Sequence, residues 1–220
     1  MPIVRRAVMV AVLLSLVLFF VACGSSGPTT VSAEKPKVEP ATEVKPPALY
    51  TGKPCFTRMM DSAQRWAMDA LPVQLESEQN DEAMGFDGKA TVWRAKFGSA
   101  SKRMLRTYTC SGSRLAGAAP FGVTGSVESP YPPHALIAVF QPAYLQVDSD
   151  KAFTIAQQHG GSNLTKGDTK HPVYYFAALD PTSSGVHWFV SYGKSMDDTD
   201  GIGIIDASTG KYLKATGPRH

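Results

Sequence analysis

The chain has 220 residues, of which 43% are hydrophobic and 19% charged, with 19 Gly and 16 Pro, so it can form a core and is not a collagen, a coiled coil or a polytopic membrane protein. Lys and Arg number 22 against 19 Asp and Glu, but Arg5 and Arg6 fall in a segment that we expect to be removed. The mature chain then has a net charge near +1, which argues against a nucleic-acid partner.

The first 22 residues have the pattern of a secretory signal peptide. Arg5 and Arg6 precede an apolar run over residues 7–21, which is shorter than the ~20 residues of a spanning helix. The segment Phe20-Val21-Ala22-Cys23 resembles the lipobox of bacterial lipoproteins, although Phe20 replaces the usual Leu. The resemblance implies that Cys23 carries acyl chains such as palmitate, and that the signal is cut before it. A plain secretory signal and an uncleaved anchor are the alternatives.

Residues 23–48 are expected to form a lipidated start and a Pro-rich tether. The stretch after Cys23 holds five prolines, no aromatic residue and interleaved charges, so it cannot bury a core. We interpret it as a spacer between the membrane and the folded part, and a Pro-rich docking ligand is the alternative. Gly24, rather than Asp, follows the cysteine, and this resembles the address of the periplasmic face of the outer membrane.

Residues 49–128 are predicted to form a first αββ module. Apolar residues recur at three- and four-residue steps from Phe56 to Leu71, which indicates an amphipathic helix that ends at Pro72. Residues 91–97 and 104–110 alternate between apolar and polar side chains around a Gly-Ser turn, so they are predicted to be paired strands.

A connector is expected over residues 129–147, and a second module over residues 148–220. Asp148 is a good helix N-cap, and Gly160-Gly161 is expected to end that helix. Residues 173–179 and 186–192 are predicted strands, and a last hairpin turns over residues 206–210.

The second module, over residues 148–214, resembles a PepSY domain. The residues that carry the resemblance are the helix start at Asp148, the aromatic hairpin with Trp188 and the closing turn Asp206-Ala207-Ser208-Thr209-Gly210. The residue pattern of the two halves predicts an α+β fold of two tandem αββ modules, and the resemblance implies that a helix packs on an antiparallel sheet (PepSY/cystatin-like). It also implies a binding or peptidase-modulating role without catalytic residues.

Few residues have spacings that suggest chemistry. Cys55 and Cys110 remain as an even pair in an oxidising compartment, so we predict a disulfide. The histidines show no spacing for zinc, His187 is expected on the solvent face of its strand, and no serine lies in a Gly-x-Ser-x-Gly elbow. We therefore expect neither an enzyme nor a cofactor.

An acidic turn near residue 200 is a weak calcium candidate. Asp198 and Asp200 fit two positions of an EF-hand loop, but Met196 and Ala207 stand where two required carboxylates should be. We therefore predict a solvated turn without a metal.

Positive charge gathers in the first module. Residues 88–127 contain seven cations and no acid. Arg94 and Lys96 should project together from one strand, whereas the face of Arg106 depends on the strand register. These three are candidate partner-binding residues, and a solvated face partly neutralised by the preceding acidic stretch is the alternative.

The sequence as a whole favours an envelope lipoprotein that acts as a non-catalytic binding or regulatory module. Its expected partners are the membrane, through the lipid anchor, and either a peptidase or other envelope protein or an anionic envelope polymer. A hydrolase of peptide or cell-wall substrates and a structural envelope component are the alternatives.

Overall fold

A computed structural model describes residues 45–132, 137–166 and 171–217. The predicted signal peptide, the lipid attachment at Cys23 and nearly all of the tether lie outside these residues. Within them, none of the helices has the length and apolar character needed to cross a bilayer.

The described chain contains three α-helices and nine β-strands. The helices are α1 (Gly52–Trp66), α2 (Ser149–Ala156) and the single turn α3 (Ser162–Leu164). The strands are β1 (Leu71–Glu78), β2 (Val92–Ser99), β3 (Met104–Ser111), β4 (Gly122–Gly125), β5 (Ser129–Pro130), β6 (Val173–Asp180), β7 (Gly185–Gly193), β8 (Thr199–Asp206) and β9 (Tyr212–Thr216).

All nine strands join one antiparallel sheet in the order β4-β3-β2-β1-β6-β7-β8-β9, and β5 pairs with β3. The α+β class with helices on an antiparallel sheet is therefore confirmed. Each half of the chain contributes four neighbouring strands to the sheet, β1 to β4 and β6 to β9, and the halves meet where β1 pairs with β6.

The expectation of two strands after the first helix was wrong. Helix α1 ends at Trp66, and Pro72 lies inside β1 rather than stopping the helix. The pairing of β1 with β2 is irregular between Pro72 and Gln74, and a bulge tolerates a residue that has no N–H to donate. Strand β4 was also missed, because residues 111–134, in which it lies, contain four Gly and four Pro and no strand pattern.

The two halves repeat one packing detail around their tryptophans. Trp93 lies on the second strand of the first half, and Trp188 lies on the second strand of the second half. The indole N–H of Trp93 donates to the carbonyl of Tyr50, just before α1, at 2.8 Å. That of Trp188 donates to Val147, just before α2, at 2.9 Å. The two rings meet edge to face in the core, so each half anchors its helix start in the same way.

The N-termini of α1 and α2 are tied together by Asp148, as its predicted role as an N-cap anticipates. Its carboxylate accepts from the N–H of Ser149 at 2.7 Å within its own helix. It also accepts from the hydroxyl of Thr51 at 2.7 Å and from the N–H of Lys53 at 2.8 Å. One carboxylate thus satisfies donors at the starts of two helices.

The predicted disulfide is confirmed. Cys55 near the start of α1 is bonded to Cys110 at the end of β3, and both cysteines are buried. The bridge fixes α1 to β3, which is separated by β2 from β1, the strand at the junction of the two halves.

Candidate functional site

Within residues 45–132, 137–166 and 171–217, no helix lies on one face of the sheet, and we call this face the open face. Phe56 of α1 stacks on Phe97 of β2, and Ala156 of α2 lies against Gly203 of β8, so both helices cover the same side. Side chains alternate between the two faces along a strand, so the neighbours of Phe97 on β2 and of Gly203 on β8 point to the open face. One row of cross-strand neighbours on that face runs Arg94, Glu76, Phe176, Phe189, Ile204 and Lys214.

The centre of the open face is aromatic. Phe176 of β6 is paired with Phe189 of β7, and their ring centroids are 5.9 Å apart. Both rings remain partly exposed, whereas Ile204 beside them is buried. Large apolar side chains in the middle of a sheet face without a covering layer are a feature of contact surfaces.

A polar hollow of about 410 Å³ adjoins this aromatic centre. Arg94 forms an ion pair with Glu78 there, and the hydroxyl of Tyr174 donates to Glu76 at 2.7 Å. Burial, followed by the charge of Glu76, raises the pKa of Tyr174 well above its usual value, so the phenol stays protonated and keeps donating. The exposed amine of Lys194 borders the hollow.

The three predicted partner-binding cations do not share a face. Arg94 and Lys96 both lie on the open face, as expected. Arg106, however, is paired with Phe97, whose side chain is in the core, so Arg106 is on the helix side. Its guanidinium donates to the carbonyl of Ser126 at 2.9 Å.

His187 is on the open face but is only 5% exposed, so the prediction that it faces solvent was wrong. Its Nε2 is 3.2 Å from the hydroxyl oxygen of Ser183, and its Nδ1 is 3.3 Å from a carboxylate oxygen of Asp180. This order, hydroxyl, imidazole and carboxylate, is that of a catalytic triad, but Nδ1 of His187 makes no hydrogen bond with the described residues, as it would in a triad. The N–H groups of Ser183 and Ser184 both donate to the carbonyl of Asp180, so they are occupied within the turn.

Of the two calcium candidates, Asp200 uses its carboxylate in another contact. Asp200 lies on β8 rather than in a loop, and its carboxylate is 2.8 Å from Nδ1 of His171. The carbonyl of Asp198 accepts from the N–H of Lys194. Across residues 45–132, 137–166 and 171–217, no group of three or more His, Cys, Asp or Glu side chains is placed to hold a metal ion.

The sequence interpretation missed the aromatic centre of the open face. Residues 173–179 and 186–192 are almost continuously apolar or aromatic, so alternation did not show which side a helix would cover. The available signal is that large apolar side chains occupy both the odd and the even positions of these strands. A sheet with one solvated face needs such side chains only on the face that the helices cover.

Comparison with known proteins supports the fold. No family model matches the chain, and no curated protein matches it. The resemblance of residues 148–214 to PepSY domains is therefore not supported by a family match. A crystal structure of a candidate lipoprotein from Clostridium difficile 630 is similar, with a TM-score of 0.50 and 11% identity over 73% of this chain and 91% of that chain. At this identity the likeness concerns the fold alone.

Proposed function

We propose that this protein is a lipoprotein of the bacterial cell envelope whose open face binds a folded protein partner without catalysing a reaction. The observation that carries the proposal is the partly exposed pair Phe176 and Phe189 at the centre of a helix-free sheet face. Aromatic anchors inside a polar rim are typical of protein interfaces. The lipobox-like segment at Cys23 and the description of the similar Clostridium difficile protein support the lipid anchor.

Charge placement favours a protein partner over an anionic polymer. Binding a polyanion requires several unpaired cations on one surface. Arg94 is paired with Glu78, Arg106 is on the helix side, and Lys89 is 2.9 Å from Asp87. Of the seven cations in residues 88–127, two are therefore paired and Arg106 lies on the other face from Arg94 and Lys96.

The partner that we propose is an envelope peptidase, on the periplasmic face of the outer membrane. The resemblance to PepSY domains motivates this choice, since such domains occur in peptidase propeptides. The tether would let the sheet reach a partner that is not itself in the bilayer, because an extended Pro-rich chain spans about 3.1 Å per residue.

Site-specific photo-crosslinking in the native envelope tests the docking face. A photoreactive residue at Ala178, beside Phe176 on the open face, should give one discrete protein adduct. The same residue at Asp61, exposed on the outer side of α1, should not. Phe176→Ala with Phe189→Ala should abolish the adduct, whereas Met68→Ala, which removes a side chain that is 97% exposed elsewhere, should leave it unchanged.

Two outcomes would contradict the proposal. Equal adducts from Ala178 and Asp61 would show that the open face has no special role. Loss of the adduct in Lys96→Glu but not in the double phenylalanine variant would assign binding to charge, and would restore the anionic-polymer alternative.

The anchor has its own test. Cys23→Ser should abolish labelling by radioactive palmitate and leave the precursor uncleaved by the lipoprotein signal peptidase. Continued labelling of the variant would contradict lipidation at this residue.

The arrangement of Ser183, His187 and Asp180 favours a second candidate, a hydrolase of peptide or cell-wall substrates. In that case Ser183 would be the nucleophile and His187 its base. A fluorophosphonate probe should then label the wild type and not Ser183→Ala. If neither protein is labelled, this arrangement only holds the turn between β6 and β7.

A further inference from the structure

A cavity of about 300 Å³ lies on the helix side of the second half, across the sheet from the open face. Its floor is β8 and β9, and its roof is the π-turn over residues 157–161 that follows α2. The volume is at the small end of the range of about 300–1,000 Å³ that ligand sites occupy.

Glycines line the cavity on both of its sides. Gly201 and Gly203 of β8 are buried, and a Cβ at these positions would be 3.0 Å from Leu164 Cδ1 and 3.1 Å from Ala156 Cβ, so both side chains approach the bare strand closely beside the cavity. Above them, Gly160 has a φ of +106°, a conformation that favours glycine, and it turns the chain away from the sheet. The interior of a protein is normally filled to close packing, so this gap between the layers is a local exception.

The walls are flat. The ring of His159 stacks on the ring of Tyr212 with centroids 3.9 Å apart and planes inclined by 10°. Tyr192 forms the inner wall, and its hydroxyl packs so closely on Gly161 that a Cβ there would be 1.8 Å from the oxygen. Aromatic rings and bare peptide planes together match a flat apolar molecule.

Tyr192 also has a donor that is not used. It is 2% exposed, and its hydroxyl oxygen accepts from the side-chain amide of Gln157 at 3.3 Å. The orientation of that amide is fixed, because its oxygen accepts from Thr165 at 3.1 Å. The O–H of Tyr192 has no acceptor among residues 45–132, 137–166 and 171–217. Burial raises the pKa of Tyr192, so the proton stays on the oxygen. A buried donor without an acceptor is costly and is rare in native proteins.

We propose that this cavity binds a small, flat, mainly apolar molecule with one hydrogen-bond acceptor, which takes the free hydrogen of Tyr192. The glycine floor and the aromatic walls set the shape, and the Tyr192 hydroxyl sets the polarity at one point. The site is independent of the open face, so it stands or fails separately from partner binding.

Two planar probes of equal size test the proposal. The first is 2-acetylnaphthalene, which carries a carbonyl, and the second is 2-isopropenylnaphthalene, in which a CH₂ group replaces that oxygen. Equilibrium dialysis against the lipidated full chain in lipid nanodiscs, with empty nanodiscs as the reference, measures the affinity of each. We expect saturable binding of one molecule per chain.

Three variants locate the site and its polar contact. Tyr192→Phe keeps the ring and should lower the affinity for the carbonyl probe about 3- to 10-fold, whereas the affinity for the isopropenyl probe should not change. Ala215→Phe, at the exposed mouth of the cavity, should weaken both probes more than 10-fold. Leu213→Phe adds a ring on the same strand outside the cavity and should change neither.

Several results would overturn the proposal. These are no saturable binding above empty nanodiscs, unchanged binding in Ala215→Phe, and equal weakening of both probes in Tyr192→Phe. Tighter binding of decanoate than of either naphthalene would show that the cavity holds an acyl chain rather than a flat molecule. Circular dichroism of each variant separates loss of the site from loss of folding.

Discussion

The disulfide between Cys55 and Cys110 should supply a large part of the stability of this protein. The bond closes a loop with a sequence separation of 55 residues. Chain-entropy arithmetic for a loop of that length gives about 4 kcal/mol, because the bridge restricts the unfolded chain. For domains of 150–250 residues, each kcal/mol moves the melting temperature by roughly 2 to 4 °C. We therefore expect Cys55→Ala to lower the melting temperature by about 8 to 16 °C.

Thermal unfolding followed by circular dichroism, under non-reducing conditions, measures this effect. The double variant Cys55→Ala with Cys110→Ala should melt close to either single variant, because all three lack the same bridge. Both cysteines are buried, so a thiol reductant should cleave the bond only when the protein unfolds. A change of less than about 1 kcal/mol would refute the entropic argument, and two free thiols in the native protein would refute the bridge itself.

Three further predictions concern single positions. Gly88→Ala should cost about 2 to 4 kcal/mol, since its φ is +79° and a Cβ there would be 2.2 Å from the backbone of α2. Gly117→Ala, with φ +82° but open space, should cost only about 1 kcal/mol in the same urea titration. Asp148→Ala should cost about 2 to 3 kcal/mol, more than an ordinary N-cap, because its carboxylate accepts at two helix starts. The hydrogen bonds from Thr182 to Asp180, that of the hydroxyl first, lower the pKa of Asp180 below its usual value of 3.8. These bonds therefore stabilise the fold above pH 3.8, and their contribution is lost as the pH falls through the lowered pKa. Thr182→Val should raise that pKa in a carboxyl NMR titration, and an unchanged value would contradict the assignment.

The second half of the fold was more predictable than the first, because turn residues mark its elements. The Asp206 carboxylate accepts from the N–H groups of Ser208 and Thr209, and Gly210 has a φ of +76°, as the sequence of that turn indicates. In the first half, Pro72 follows the apolar face of a helix and looks like its end. The acids of β1 alternate onto the open face, so the strand resembles a polar loop.

The candidate site was only partly predictable, since it depends on which side of the sheet the helices cover. The sequence placed Arg94 and Lys96 on one face, and the structure agrees. The register of β2 with β3 was needed to move Arg106 to the other face. Phe176 is partly exposed because no helix of the described residues covers the open face. No local pattern of residues specifies which face the helices cover.

The junction between β1 and β6 would affect how the chain folds if it is exported as we propose. Its three residue pairs, Gln74 with Ala178, Leu75 with Ala177 and Glu76 with Phe176, join positions about 100 residues apart. In the export that we propose, the chain would cross a membrane from its N-terminus and would deliver β1 long before its partner strand. In that interval β1 is an unprotected sheet edge, which is a site for aggregation. Both cysteines of the disulfide precede the second half. The bond that links α1 to β3 could therefore form while β6 is still on the other side of the membrane.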